Sequence, residues 1–261
     1  MPAAFISHGS PLTVVTEDDY AEALRRFGRS LPRPRGVVVM SAHGPSRPGT
    51  AAVTASTAPP LVYDFAGFPP ELYRFRYACP GSPGLAEEVA AALRPLGLPA
   101  ELDRESGLDH GVWVPLARLF PAADVPVVQL TMPFPGEEPR LVEMGRALAP
   151  LRETGVLLVG SGGAVHNLRA LDWHAHGSKT ASPWAREFND WLEERVQRLA
   201  TGELLRWASD APHARLAHPY PDHLDPLFFT LGAALPGERA MTIVDEFQYE
   251  TLSMYSFAIG G

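Results

Sequence analysis

Gly36-Val37-Val38-Val39-Met40-Ser41-Ala42-His43-Gly44 sets four consecutive apolar residues, three of them valine, directly before a polar turn that carries a histidine. Such a run, with Pro34-Arg35 ahead of it and Gly44-Pro45 behind, reads as a parallel strand covered on both faces. In open α/β sheets, ligands gather beyond the carboxyl ends of such strands, so His43 stands where chemistry is usually done. A single histidine there is equally well explained by a hydrogen bond to nearby backbone. Repetition of the pattern is what points to a site.

Ala3-Ala4-Phe5-Ile6 is a second short apolar run, followed at once by Ser7-His8-Gly9-Ser10-Pro11. Between the two runs, residues 17–27 carry Tyr20, Ala23, Leu24 and Phe27 at helical spacing, with acidic residues in the first turn and Gly28 behind. Strand, histidine, helix, strand, histidine is a right-handed crossover unit. It releases His8 and His43 at the same sheet edge from adjacent or nearly adjacent strands, a metal site in outline.

Further along, residues 50–56 and 125–131 read as strands, and residues 82–97, 138–152 and 182–199 as amphipathic helices. The stretch 59–81, with Tyr63, Phe65, Phe68, Tyr73, Phe75 and Tyr77, is either a pocket wall or a packed structural loop. Asp109-His110-Gly111 precedes a short helix ending near Phe120. Gly155-Val156-Leu157-Leu158-Val159-Gly160-Ser161-Gly162-Gly163 repeats the opening theme and leads into His166. Its glycines lack the Lys-Ser/Thr ending of a phosphate loop and read instead as freedom for His166 to turn back over the sheet edge. Pro221 and Asp222 read as helix-start residues, with His223 in the first turn facing the site. Residues 241–247 and 252–258 read as an antiparallel return at the sheet's edge. His174 and His176 read as a solvated loop, and His218 as a loop histidine.

The whole chain, 261 residues with 46% apolar and 20% charged, is expected to form one α/β domain over residues 1–261. That domain is a largely parallel central sheet flanked by helices, with the site at the carboxyl ends of the strands. A formal charge of -8 and the lack of any Lys/Arg run argue against nucleic acid and anionic membrane as partners. No apolar stretch approaches the roughly 20 residues needed to span a bilayer, and the expected location is cytoplasmic. The single cysteine, Cys79, reads as a buried, inert thiol. Oligomeric state is not legible.

The set Ser7-His8-Gly9-Ser10-Pro11, Ser41-Ala42-His43, Leu108-Asp109-His110-Gly111-Val112-Trp113, Ser161 through His166-Asn167-Leu168, His218-Pro219-Tyr220-Pro221-Asp222-His223 and Leu252-Ser253-Met254 resembles the class III extradiol ring-cleavage dioxygenases of the single-chain DOPA 4,5-dioxygenase type. The resemblance covers nearly the whole chain. It implies one divalent metal ion held by His8, His43 and His223, with His166 as acid/base or further ligand and His110 beside the substrate. It implies, as partners, a small aromatic diol and O₂, the ring being opened next to the diol. Many class III enzymes complete the set with a carboxylate, where this chain offers His223. Asp222 and Asp225 flank it as possible ligands or as partners fixing its tautomer. An all-imidazole set suits zinc as well as iron, so Fe(II) is expected for activity and Zn(II) in the protein as isolated. A zinc hydrolase, or a non-catalytic relative on the same fold, are the alternative readings.

Overall fold

The computed structural model describes residues 1–44, 48–175, 178 and 180–260. Among the described residues ten strands form: β1 (Ala3–Ser7), β2 (Gly36–Ser41), β3 (Ala51–Thr54), β4 (Ala100–Asp103), β5 (Val127–Leu130), β6 (Val156–Gly162), β7 (Arg239–Val244), β8 (Phe247–Gln248), β9 (Leu252–Ser253) and β10 (Ser256–Gly260). Eight of them make one sheet in the order β4-β3-β5-β2-β6-β1-β10-β7, and β8 and β9 form a separate small ladder. The strands β5, β2, β6 and β1 are mutually parallel. β3 joins β5 and β10 joins β1 antiparallel, while β3 and β4 at the edge are parallel to each other, so the sheet is largely parallel, as expected. The expected C-terminal return is there, as β7 and β10, but the strands read over 241–247 and 252–258 are each broken, Phe247 and Leu252–Ser253 lying in the β8–β9 ladder.

β1 and β2 are separated by one strand, β6, which pairs with both. Three strands that each lead into a histidine turn therefore lie side by side. Alternation along them splits the core in two. Phe5, Val38, Met40, Leu158 and Leu130 face one side with α2 (Pro83–Leu93), α4 (Glu138–Leu148) and the helices Pro183–Gln197 and Asp225–Gly232. Ile6, Val37, Val39, Leu157 and Val159 face the other, with α1 (Asp19–Ser30) and α3 (His110–Leu119). Val37 through Met40 are fully buried, each side chain contributing roughly 1.5–3 kcal/mol of transfer free energy.

Three further local readings differ from the structure. The helix expected over 138–152 stops at Leu148, because Pro150 brings no N–H to continue it and starts a separate turn, Pro150–Glu153. His110 is the first residue of α3 and not a loop residue before it. His223 lies in a turn ahead of the helix Asp225–Gly232, whose early Pro226 marks the true start. The turn is closed by Leu224 N–H and Asp225 N–H, both donating to the Pro221 carbonyl at 2.8 and 3.0 Å.

The glycines of β6 serve this helix rather than His166. A Cβ on Gly160 would collide with the Pro226 carbonyl and the Thr230 hydroxyl, and one on Gly162 with the His223 carbonyl. A Cβ on Gly163 would only touch His166 at an ordinary 3.4 Å. Replacing Gly160 by Ala is therefore expected to destabilise the protein by roughly 1–3 kcal/mol. Gly84→Ala, where nothing lies within 4 Å, should be neutral or stabilising. Urea unfolding of the two variants beside the parent checks this; equal midpoints would show that the helix is not seated on β6 as described.

Candidate metal centre

His8 continues the β1 ladder, its N–H donating to Gly162 O at 3.0 Å. Its Nδ1 lies 3.0 Å from Ser161 Oγ, whose own hydroxyl proton goes to the carbonyl of Gly111. Ser161 can then only accept from His8, which puts the imidazole proton on Nδ1 and leaves Nε2 bare. His43 leaves β2 with its N–H on Ser41 Oγ at 3.2 Å, while Ser41 donates to Asp109 at 2.7 Å. Asp109 is also held by Gln129 Nε2 at 2.6 Å. Burial raises its carboxyl pKa to about 6, against the pull of the Ser41 hydrogen bond. The turn carrying His223 is fixed to β6 by Gly163 N–H donating to His223 O at 2.8 Å, and His223 Nδ1–H meets Asp222 at 2.9 Å.

These supports bring three Nε2 atoms together, 3.0 Å between His8 and His43 and 3.1 Å between His43 and His223. His110 joins from the start of α3, and the ligand nitrogens of His8, His43 and His110 lie within 4.8 Å of one another. His166 stacks flat on His223, with ring centroids 3.4 Å apart. His174 is exposed on a short turn, and His176 lies outside the described residues. His218 is buried, its Nε2–H donating to the Ala164 carbonyl at 2.9 Å, and packed against Phe188 and Trp207. Asp225 accepts from Gly136 N–H at 2.8 Å. Cys79 is buried and its thiol is pushed up to about 11 by burial.

His8, His43, His166 and His223 are held neutral. Burial, followed by repulsion from neighbouring imidazoles, drives His8 and His223 well below the ordinary histidine value. Burial lowers His43 to about 3 and His166 to about 4. Neutral imidazoles with Nδ1 anchored and Nε2 free are the form in which histidine binds a metal. The donor set thus fits a divalent ion. Over the cluster lies a cavity of about 350 Å³ whose walls include Phe65, Phe68, Leu168, Leu171, Trp173 and Leu252. The aromatic stretch serves both of its expected ends: Phe65 and Phe68 face the cavity, while Tyr77 and Leu72 are buried in the same core cluster as Trp113.

Sequence reasoning missed Asp64 and gave Ser161 no role of its own. Asp64 lines the cavity, accepts from His110 Nδ1–H at 2.9 Å and has its other oxygen 3.8 Å from His43 Nδ1. It is the one acidic residue in the run Leu61-Val62-Tyr63-Asp64-Phe65-Ala66-Gly67-Phe68. A carboxylate among aromatics needs partners, and that was the available signal.

Comparison with known proteins places residues 2–260 on the family described as the catalytic LigB subunit of aromatic ring-opening dioxygenase. A 4,5-DOPA dioxygenase extradiol of Escherichia coli K12 is 41% identical over 100% of this chain and 95% of its own. The enzyme of that name from Beta vulgaris is 34% identical over 97% of this chain and 94% of its own. The crystal structure of an uncharacterized protein of Escherichia coli K12 superposes with a TM-score of 0.81 at 35% identity, covering 100% of both chains. Among the described residues no helix is long and apolar enough to cross a membrane.

The titrations predict a pH dependence for the protein freed of metal by chelation. His8, His43, His166, His218 and His223 are all depressed in the fold. The unfolded chain, titrating near 6.5, therefore binds protons first, and stability is lost as pH falls from about 6.5 toward 4. Asp109 and Asp225, raised to about 6 and about 7, act oppositely, their contribution being lost as pH rises through those values. Five groups outweigh two, so urea midpoints should drop between pH 6.5 and 4.5. Midpoints that rise over that interval would contradict the neutral cluster.

Proposed function

The chain belongs to the family of aromatic ring-opening dioxygenases of the catalytic LigB type and is an extradiol ring-cleaving enzyme; from that premise we propose that it opens a substituted catechol of the DOPA class with O₂, at a divalent ion held by His8, His43 and His223. The observation that carries the assignment is the meeting of three Nε2 atoms at 3.0 and 3.1 Å beneath an aromatic cavity. Imidazole nitrogens this close can share one ion as ligands about 2.0–2.1 Å from it. His110, whose Nδ1 is engaged by Asp64, is assigned to the substrate's side of the cluster.

When bound, the ion supplies Lewis acidity to the diol and, as iron(II), the electrons that let O₂ react. The chain's own residues do the rest. Phe65 and Phe68 with Leu168 and Leu252 form an apolar enclosure for the ring and keep water from it. His166, neutral and parallel to His223, takes a proton from the catechol hydroxyl as the diol is engaged. His110, held by Asp64, orients the ring within the same cavity. Both atoms of O₂ enter the product, the ring carbon–carbon bond beside the diol breaks, and a yellow ring-opened semialdehyde forms.

Three neutral imidazoles leave the ion its full double charge, which favours an anionic catecholate. Nothing in the donor set discriminates against zinc, which binds nitrogen sites more tightly than Fe(II). The protein as isolated is therefore expected to carry mostly zinc and to be inactive toward catechols. Anaerobic exchange to Fe(II) should bring O₂ uptake and the yellow product together. Iron-loaded protein that binds catechols without consuming O₂, beside a zinc form that hydrolyses esters or amides, would replace the dioxygenase by the hydrolase.

A second expectation concerns His166. His166→Ala should lower turnover about 10²- to 10⁴-fold with metal content unchanged. Loss of metal along with activity would make it a fourth ligand, and a smaller effect would assign it to packing.

A further inference from the structure

Helix α3 begins at the site, and its N-terminus is not capped in the usual way. Its N-cap residue, Asp109, makes no capping bond, because its carboxylate is taken by Ser41 and Gln129. The first N–H groups of a helix need an acceptor, and an anion there is favoured by the helix dipole. Asp64 provides it from another segment of the chain. One oxygen, Oδ1, accepts both the backbone N–H of His110 at 3.1 Å and the ring Nδ1–H at 2.9 Å.

The segment that delivers Asp64 is itself tied to this spot. Leu61 bridges Leu108 in parallel, Val62 N–H donates to Leu108 O at 2.7 Å, and Leu108 N–H donates to Pro60 O at 2.8 Å. Trp113 Nε1–H, one turn into α3, donates to Val62 O at 3.1 Å. Beyond Asp64 the chain passes directly into the cavity wall, where Phe65 stands edge-on to the His110 ring at 5.7 Å. One carboxylate thus joins the aromatic wall, the start of the helix and a histidine of the cluster.

Resting on the extradiol reading above, we propose that Asp64 is a positioning residue for ring cleavage. It locks His110 in the Nδ1–H tautomer with Nε2 aimed at the substrate, and it sets the Phe65 wall in register with that nitrogen. Without Asp64, rotation about the Cα–Cβ and Cβ–Cγ bonds and exchange of tautomers would present a donor or nothing where an acceptor is required. Asp64 acts through His110 and need not touch the reacting atoms.

The test has one readout that needs no turnover. In zinc-loaded, ¹⁵N-histidine-labelled protein, long-range ¹H–¹⁵N correlation reports which ring nitrogen carries the proton; the His110 signals are assigned by their loss in His110→Gln. The expected result is a protonated Nδ1 in the parent and in Asp64→Asn, whose side-chain oxygen can accept the same two N–H groups. Asp64→Ala should show a mixed or reversed tautomer. In iron-loaded protein, Asp64→Ala should lower kcat about 10- to 100-fold, the usual scale for such supporting hydrogen bonds, with KM within about threefold. Asp64→Asn should recover kcat to within about fivefold of the parent. A bare Nδ1 in the parent overturns the proposal, as does an Asp64→Ala variant that keeps its tautomer and loses only KM. If Asp64→Ala fails to fold, the parent spectrum and the Asn variant still decide. Absence of ring cleavage in the parent, with the tautomer as expected, would fault the dioxygenase reading and not the positioning of His110.

Discussion

Gly162 has no side chain because the His223 carbonyl stands where its Cβ would be, and the next N–H, that of Gly163, holds that carbonyl at 2.8 Å. This single close approach seats a turn from the last third of the chain on the carboxyl end of β6. β6 lies between the two strands that carry His8 and His43. A methyl group at Gly160 or Gly162 would lift the helix Asp225–Gly232 and carry His223 away from the other two rings. The cluster therefore depends on backbone packing first and on side-chain chemistry second.

Once the rings meet, hydrogen bonding at the far side of each decides what they can do. Ser161 faces Nδ1 of His8, Asp222 that of His223 and Asp64 that of His110. Each partner leaves Nε2 turned toward the common space, and burial keeps His8 and His223 neutral. The carboxylates excluded from the proposed ligand set reappear one bond further out, where they fix tautomers and place negative charge behind the imidazoles. This arrangement explains how a set without a carboxylate ligand can still suit a divalent ion.

Much of this was legible from residues alone. The Val37–Met40 run, the histidine turns after β1 and β2, and α1 between them follow from apolar pattern and turn chemistry, which are local. The position of β6 between β1 and β2 was not legible, since strand order is decided by contacts far apart in sequence. Pro226 did announce that the last core helix begins after His223, but Pro221 offered a competing start, and local signals alone do not choose between two prolines. Asp64 was hidden because an aromatic run reads as packing. Its role appears only when Leu61 is found paired with Leu108, 47 positions later in the chain.

The central claim is that one ion binds His8, His43 and His223 together, with His110 left for the substrate. A crystal structure of the metal-loaded protein, with anomalous scattering collected at the metal edge, tests it most directly. The account predicts a single anomalous peak about 2.0–2.2 Å from Nε2 of each of those three rings, with His110 outside bonding distance. A peak bonded to His8, His43 and His110 with His223 outside, or one bonded to the Asp64 carboxylate, would contradict it.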